Sequence, residues 1–258
     1  MKRDIVCFAN SRKTYGKCFA GKDLEYKNWI RPVSTKVDES LSLKDECLRE
    51  RDCGCTICIP TLPSLLDVVS MEIGEYKGEG HQVENYLYVP KWELAGAFNT
   101  DFMEDFLDET GEPDLWVNGY DSEYGKNDIV PVTESGALMD SLRLIEVEWL
   151  VISVKYEGEE FNKLKKRARG LFKYKMQEYN MIITDEAVEN KYLAMPEGQY
   201  VFGENRRIVL CLSLDKEDKD RHITFNEGLS DGCFNKHIAG VIEFGSTVGL
   251  PPRSRAVI

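Results

Sequence analysis

Residues 5–21 read IVCFANSRKTYGKCFAG, and residues 29–34 read WIRPVS. Ile5 to Ala9, Lys17 to Ala20 and Trp29 to Val33 are short β-favouring runs. The Ser/Lys/Gly turns between them give the pattern of a meander. Pro32 cannot donate to a sheet ladder, so it belongs at a strand end or an edge.

The same grammar continues outward. Leu65 to Ile73 (LLDVVSMEI) and Tyr86 to Val89 read as strands, while Lys36 to Arg51 and Asn99 to Glu109 read as polar or amphipathic helices, the second opened by a Thr100 cap. Ile129 to Val132 is a further short β-type run. Leu142 to Val154 (LRLIEVEWLVISV) alternates and then turns apolar, as one long strand entering a core would. Arg169 to Tyr174, Tyr179 to Ile183, Arg207 to Leu214 and Lys236 to Phe244 repeat the pattern, with a short helix at Asp185 to Leu193. Many short strands and few short helices predict a mainly β fold of small barrels rather than a βαβ sheet. At 258 residues the chain exceeds the usual single domain. Two units are expected: 1–140 with acidic helical insertions and 141–245, followed by a loosely held Gly/Pro/Ser-rich tail, 246–258.

The order of these landmarks resembles the dual OB domain family of bacterial proteins. The strand ending in SRK and the WIRP strand are joined by an LLD-type strand, HQVEN at 81–85, the Asn127-Asp128 turn, Tyr179 to Asp185, Cys211 to Leu214 and Lys236 to Ile242. The resemblance covers nearly the whole chain. It implies two OB-like barrels in tandem and a role in sensing or holding nucleic acid, in bacterial defence or conflict systems. A cysteine cluster just before Leu65 departs from the family's pattern.

The formal charge is −12, unevenly spread. Residues 1–35 carry eight Lys/Arg against three Asp/Glu, residues 36–160 nine against 29, and residues 161–258 sixteen against thirteen. A nucleic-acid surface therefore has to come from the N-terminal strands and the stretch after Phe161. The acidic middle, including Asp101 to Glu109, suits a basic protein partner instead. No apolar run is long enough for a signal peptide or a membrane span, so a cytoplasmic protein with no membrane partner is expected, its thiols reduced.

Four clusters are candidates for function. Ser11, Arg12, Lys13, Lys17 and Arg31, with Trp29 beside them, could bind phosphates and stack a base; otherwise they are a solvated turn and a core plug. Residues 161–179 (FNKLKKRARGLFKYKMQEY) hold seven cations and four rings. In that stretch Lys163, Lys165, Lys166, Arg167 and Arg169 could track a backbone, followed by Phe172, Lys173, Tyr174 and Lys175; the alternative is a solvated linker or helix.

Cys47, Cys53, Cys55 and Cys58 could wrap a structural zinc ion or form an uncoordinated loop, and no other cofactor is expected. His81, Gln82, Glu84 and Asn85 form a polar group that could do acid–base work on nucleic acid or could simply fix a strand by hydrogen bonds. No phosphate-binding P-loop, dinucleotide fingerprint, G-x-S-x-G or H-E-x-x-H is present. The leading expectation is a non-catalytic module that holds single-stranded nucleic acid or a nucleotide.

Overall fold

A computed structural model of the chain describes residues 1–13, 16–33, 63–108, 114–159, 163–225 and 228–245. Five strands make the first unit: β1 (Lys2–Lys13), β2 (Gly16–Asp23), β3 (Trp29–Val33), β4 (Asp67–Tyr76) and β5 (Asn85–Ala97). They close a barrel in the order β1-β2-β3-β5-β4. β1 closes it because both its edges are used: residues 2–6 pair with β4, and the strand pairs with β2 from Ile5 onward, with a bulge between Cys7 and Ala9. Only β3 and β5 run parallel within it.

The remaining strands are β6 (Ile129–Pro131), β7 (Leu142–Val147), β8 (Leu150–Glu157), β9 (Lys165–Tyr174), β10 (Gln177–Ile183), β11 (Gly198–Phe202), β12 (Arg207–Phe225) and β13 (Gly228–Phe244). They form one sheet ordered β11-β8-β9-β10-β13-β12-β7, with β6 on β13. The expected single strand from Leu142 to Val154 is two strands, interrupted at Glu148-Trp149. β7 pairs with β12, and β8 pairs with β9. Taken as one bent strand, β7 and β8 give the second unit the pairing order of the first, again with one parallel contact, β10 to β13. The protein is therefore mainly β and built as two OB-like units.

Helix α1 (Glu186–Leu193) lies between β10 and β11, capped by Asp185, whose carboxylate accepts from the Ala187 and Val188 amides. Two short 3₁₀ helices cover Thr100–Phe106 and Val132–Ala137. The expected helix Asn99 to Glu109 is thus shorter than its pattern predicts, and its cap is Asn99 rather than Thr100. β11, an edge strand on β8, is not among the expected strands although its Tyr200-Val201-Phe202 favours one. The expected helix Lys36 to Arg51 and the tail 246–258 lie outside the described residues. No helix among the described residues is long and apolar enough to cross a membrane.

Strand alternation sorts the cores. Ile5, Cys7, Phe19, Ile30, Val69 and Met71 fill the first barrel. Their neighbours Val6, Phe8, Ala20 and Val68 point outward, into a cluster shared with Leu142, Leu144, Val209, Cys211, Ala239 and Ile242 of the second unit. The two units are therefore joined by a continuous apolar core. Gly240 shows how close they come, since a Cβ there would sit inside the van der Waals radius of the Phe8 carbonyl oxygen. Gly240→Ala is expected to destabilise folding by about 2–3 kcal/mol through overpacking, read by chemical denaturation. An unchanged unfolding midpoint would contradict this close approach.

Candidate nucleic-acid interface

The sequence KKRARGLFKY becomes β9, and period-2 alternation divides its residues between two faces. The even positions Ala168 and Phe172 are buried in the second core, with Tyr174 packed partly against it. The odd positions 163, 165, 167 and 169 all line an open cleft of about 550 Å³. Its other walls are Ser122, Tyr124, Asp128, Glu157, Gly158, Ile182 and Asn235 to His237 of β13.

Along this face the cations differ in how they are committed. Arg169 is buried and fully used, with Nε and Nη2 donating to Glu157 at 2.8 and 3.2 Å and Nη1 donating to Asp128 at 3.1 Å. Lys163 and Lys165 are exposed and Arg167 is half-buried. Among the described residues, none of these three has a carboxylate within ion-pair distance. The neighbouring Arg167 charge, then partial burial and then Arg12, hold the Lys165 ammonium below the usual lysine range. The three side chains thus set like charges on adjacent outward positions of one face.

The wall opposite is a firmly tied loop. Asp128 accepts from the Ser122 amide at 2.7 Å and the Ser122 hydroxyl at 2.5 Å, and Asn180 donates to the Tyr124 carbonyl at 3.0 Å. The buried Lys236 ammonium donates to the Val117 carbonyl at 2.6 Å and to Asn118 at 3.2 Å. Burial drops this ammonium to about 7, against the opposing pull of Asp128, Asp114 and Asp121. An unfolded lysine titrates near 10.5, so between about 7 and 10.5 the unfolded chain binds the extra proton. The residue's contribution to stability therefore rises as pH climbs through that window, and its full cost is present below it. Unfolding free energies of the wild type and Lys236→Met, compared from pH 6 to 10, should shift in favour of the wild type as pH rises. A pH-independent difference would contradict the assignment.

The expected stacking rings are corrected. Phe172 and Tyr179 are fully buried and stack on each other with centroids 5.2 Å apart, inside the second unit. Tyr174 is half-buried, with the Lys175 ammonium 5.5 Å above its ring. Lys166 points to the even face, where it donates to the Leu193 and Met195 carbonyls at 2.9 and 2.5 Å and so closes the end of α1. Lys173 is half-buried on the odd face. The alternative of a linker or helix at 163–169 is replaced by strand β9.

The N-terminal group is corrected more severely, because the outward face of β1 to β3 is the one covered by the second unit. Ser11 is buried and bridges to Asp185. Arg12 donates from Nε and Nη2 to both oxygens of Glu189, at 2.9 and 2.6 Å. Trp29 is half-buried, its Nε1 donates to Asp108 at 3.0 Å, and the Lys22 ammonium lies 5.1 Å from its ring. Arg31 is buried, 2.8 Å from both Glu84 and Ser141. Ser11 and Arg31 are thus buried and Trp29 half-buried, while Arg12 is exposed and paired with Glu189. β1 and β2 carry Lys13 and Lys17, whose side chains lie outside the described residues.

The HQVEN group belongs to the same joint. Ser141 donates to Glu84, and Asn85 donates to Gln82 at 3.3 Å. His81 Nε2 lies 2.9 Å from the Asp215 carbonyl, and the Asp215 carboxylate holds His237 at 2.7 Å. Burial pushes the His81 imidazole below the usual histidine value. Gln82, Glu84 and Asn85 are buried, His81 is half-buried, and none of the four lines the cleft.

The acids after Asn99 are largely spent within the chain. Glu104 pairs with Arg207, Asp105 with Lys27, and Asp108 with Lys22. Cys47, Cys53, Cys55 and Cys58 lie outside the described residues, and among those described no group of three or more His, Cys, Asp or Glu could hold a metal. Sequence reasoning missed Tyr124, Asp128 and His237 as walls of the cleft. Only the Asn127-Asp128 turn gave any signal, and that of a turn.

The profile of one family, the dual OB-containing domain, matches residues 3–241. No curated protein and no solved structure matches the chain.

Proposed function

The chain belongs to the dual OB-containing domain family, and from that premise we propose that it is a non-catalytic module holding nucleic acid or a nucleotide on the odd-numbered face of β9. OB folds take such ligands on the outward face of their second and third strands and the adjoining loops. In the second unit those strands are β9 and β10, and the adjoining turn is Gly158 to Lys163. In the first unit the matching face is buried against its neighbour.

The observation that carries the proposal is the set of three cations, Lys163, Lys165 and Arg167, that have no carboxylate partner among the described residues and share one cleft in a chain of net charge −12. A cation surface left unpaired amid such an excess of acid costs stability, and phosphate binding is what it serves. With about three phosphates neutralised, the affinity for a labelled oligonucleotide should fall with salt at a log–log slope of about −2. Absence of binding to DNA, RNA and nucleotides, or binding indifferent to salt, would reject the proposal.

A further inference from the structure

The cleft also restricts the size of what it holds, an inference that rests on the binding proposal above. We propose that its occupant is a short, phosphate-rich ligand of one or two nucleotides, a nucleoside polyphosphate or the phosphorylated end of an oligonucleotide, rather than a long single strand.

Three observations carry this. The first is that the described residues form no stacking row along the cleft. A surface that tracks a strand sets successive bases on aromatic faces beside the basic groove. Here Phe172 and Tyr179 are sealed in the core and Tyr174 is packed partly against it. Among the described residues two rings line the cleft, Tyr124, whose hydroxyl accepts from the Gly158 amide at 3.2 Å, and His237, whose Nε2 lies 2.7 Å from the Asp215 carboxylate. Two rings offer faces to one or two bases and not to a row of them.

The second is charge. On the Ser122 and Gly158 sides, the exposed residues beside the cleft wall are acids: Asp121 and Glu123 flank Ser122, and Glu159 follows Gly158. A polyanion that leaves the cleft on those sides meets like charge, which acts over a Debye length of about 8 Å at physiological salt. The third is size. A volume of about 550 Å³ lies in the range of small-molecule sites, about 300–1,000 Å³, whereas a strand-tracking OB surface occupies about 4–16 nucleotides.

The test is calorimetric titration of the full chain with adenosine and guanosine triphosphates and with oligothymidylates of two, four, eight and sixteen nucleotides, each with and without a 5′-phosphate. The expected result is an affinity that levels off at two nucleotides. Comparable triphosphate binding identifies the free nucleotide as the source, and dependence on the 5′-phosphate identifies the oligonucleotide end. A dissociation constant that falls more than about tenfold between four and sixteen nucleotides would overturn the size limit while leaving the binding proposal intact. Failure of every probe would overturn both. Because the proposal places the acids outside the binding contacts, Glu123→Gln with Glu159→Gln should strengthen binding of the sixteen-nucleotide probe and leave the dinucleotide unchanged. Equal effects on the two would count against it.

Discussion

Replacing Lys165 and Arg167 together by glutamine is expected to weaken nucleotide or oligonucleotide binding by about two orders of magnitude without lowering the unfolding temperature. A hydrogen bond to a charged group contributes about 1.5–3 kcal/mol, and about 1.4 kcal/mol is a factor of ten in affinity. Losing two such contacts therefore costs at least a hundredfold. The stability half of the prediction follows from their mutual repulsion: Arg167 is the leading cause of the depressed Lys165 ammonium, so the ligand-free protein already bears a strained pair. Removing it should leave thermal stability equal or slightly raised. Calorimetry of binding and of unfolding on the same variant separates the two effects. Undiminished affinity would remove the site from this face of β9, and a marked loss of stability would make the pair structural.

The second large effect is expected at Arg31→Met. Arg31 lies between Glu84 and Ser141, all three buried, and its amide also donates to the Glu84 carbonyl at 2.8 Å. Truncating one partner of a buried ion pair strands the other, at about 3–5 kcal/mol. For a chain of this size that corresponds to a fall of roughly 10 °C in unfolding temperature. Arg31→Met with Glu84→Gln should recover part of the loss, because the stranded charge is removed as well. The network joins β3 and residues 82–85 of the first unit to Ser141 at the start of the second, so the loss is one of assembly. Ligand affinity measured at low temperature should stay near wild type. A tenfold loss of affinity there would place Arg31 in the binding machinery after all.

The two effects mark how far each cluster could be read in advance. Trp29 to Val33 is the strand its sequence announces, and α1 begins after Asp185, because β-branched and aromatic runs and a carboxylate cap act locally. At residues 163–175 the alternation was present in the letters as well. Lys163, Lys165, Arg167 and Arg169 are two apart, and Phe172 and Tyr174 have the opposite parity, so one strand could not offer both sets to one ligand. Reading the cations and the rings together as one groove passes over that consequence. At Leu142 to Val154 the apolar content predicted strand, but the break at Glu148-Trp149, which sends β7 to β12 and β8 to β9, has no local signature.

Composition and periodicity on their own established a mainly β chain, the order of most strands, and two regions where cations gather; these are properties of neighbours in sequence. Only the folded arrangement decided which of those regions is open. Ser11 and Arg31 are covered and Trp29 partly so because the outward side of the first barrel is also the side on which β7, β12 and β13 pack, and the exposed Arg12 is held by Glu189, whereas Lys163, Lys165 and Arg167 open on the cleft. Alternation fixes which residues share a side of a strand. What covers that side depends on contacts between residues far apart in the chain, such as Arg12 with Glu189 and Arg31 with Ser141, and no local pattern carries that information.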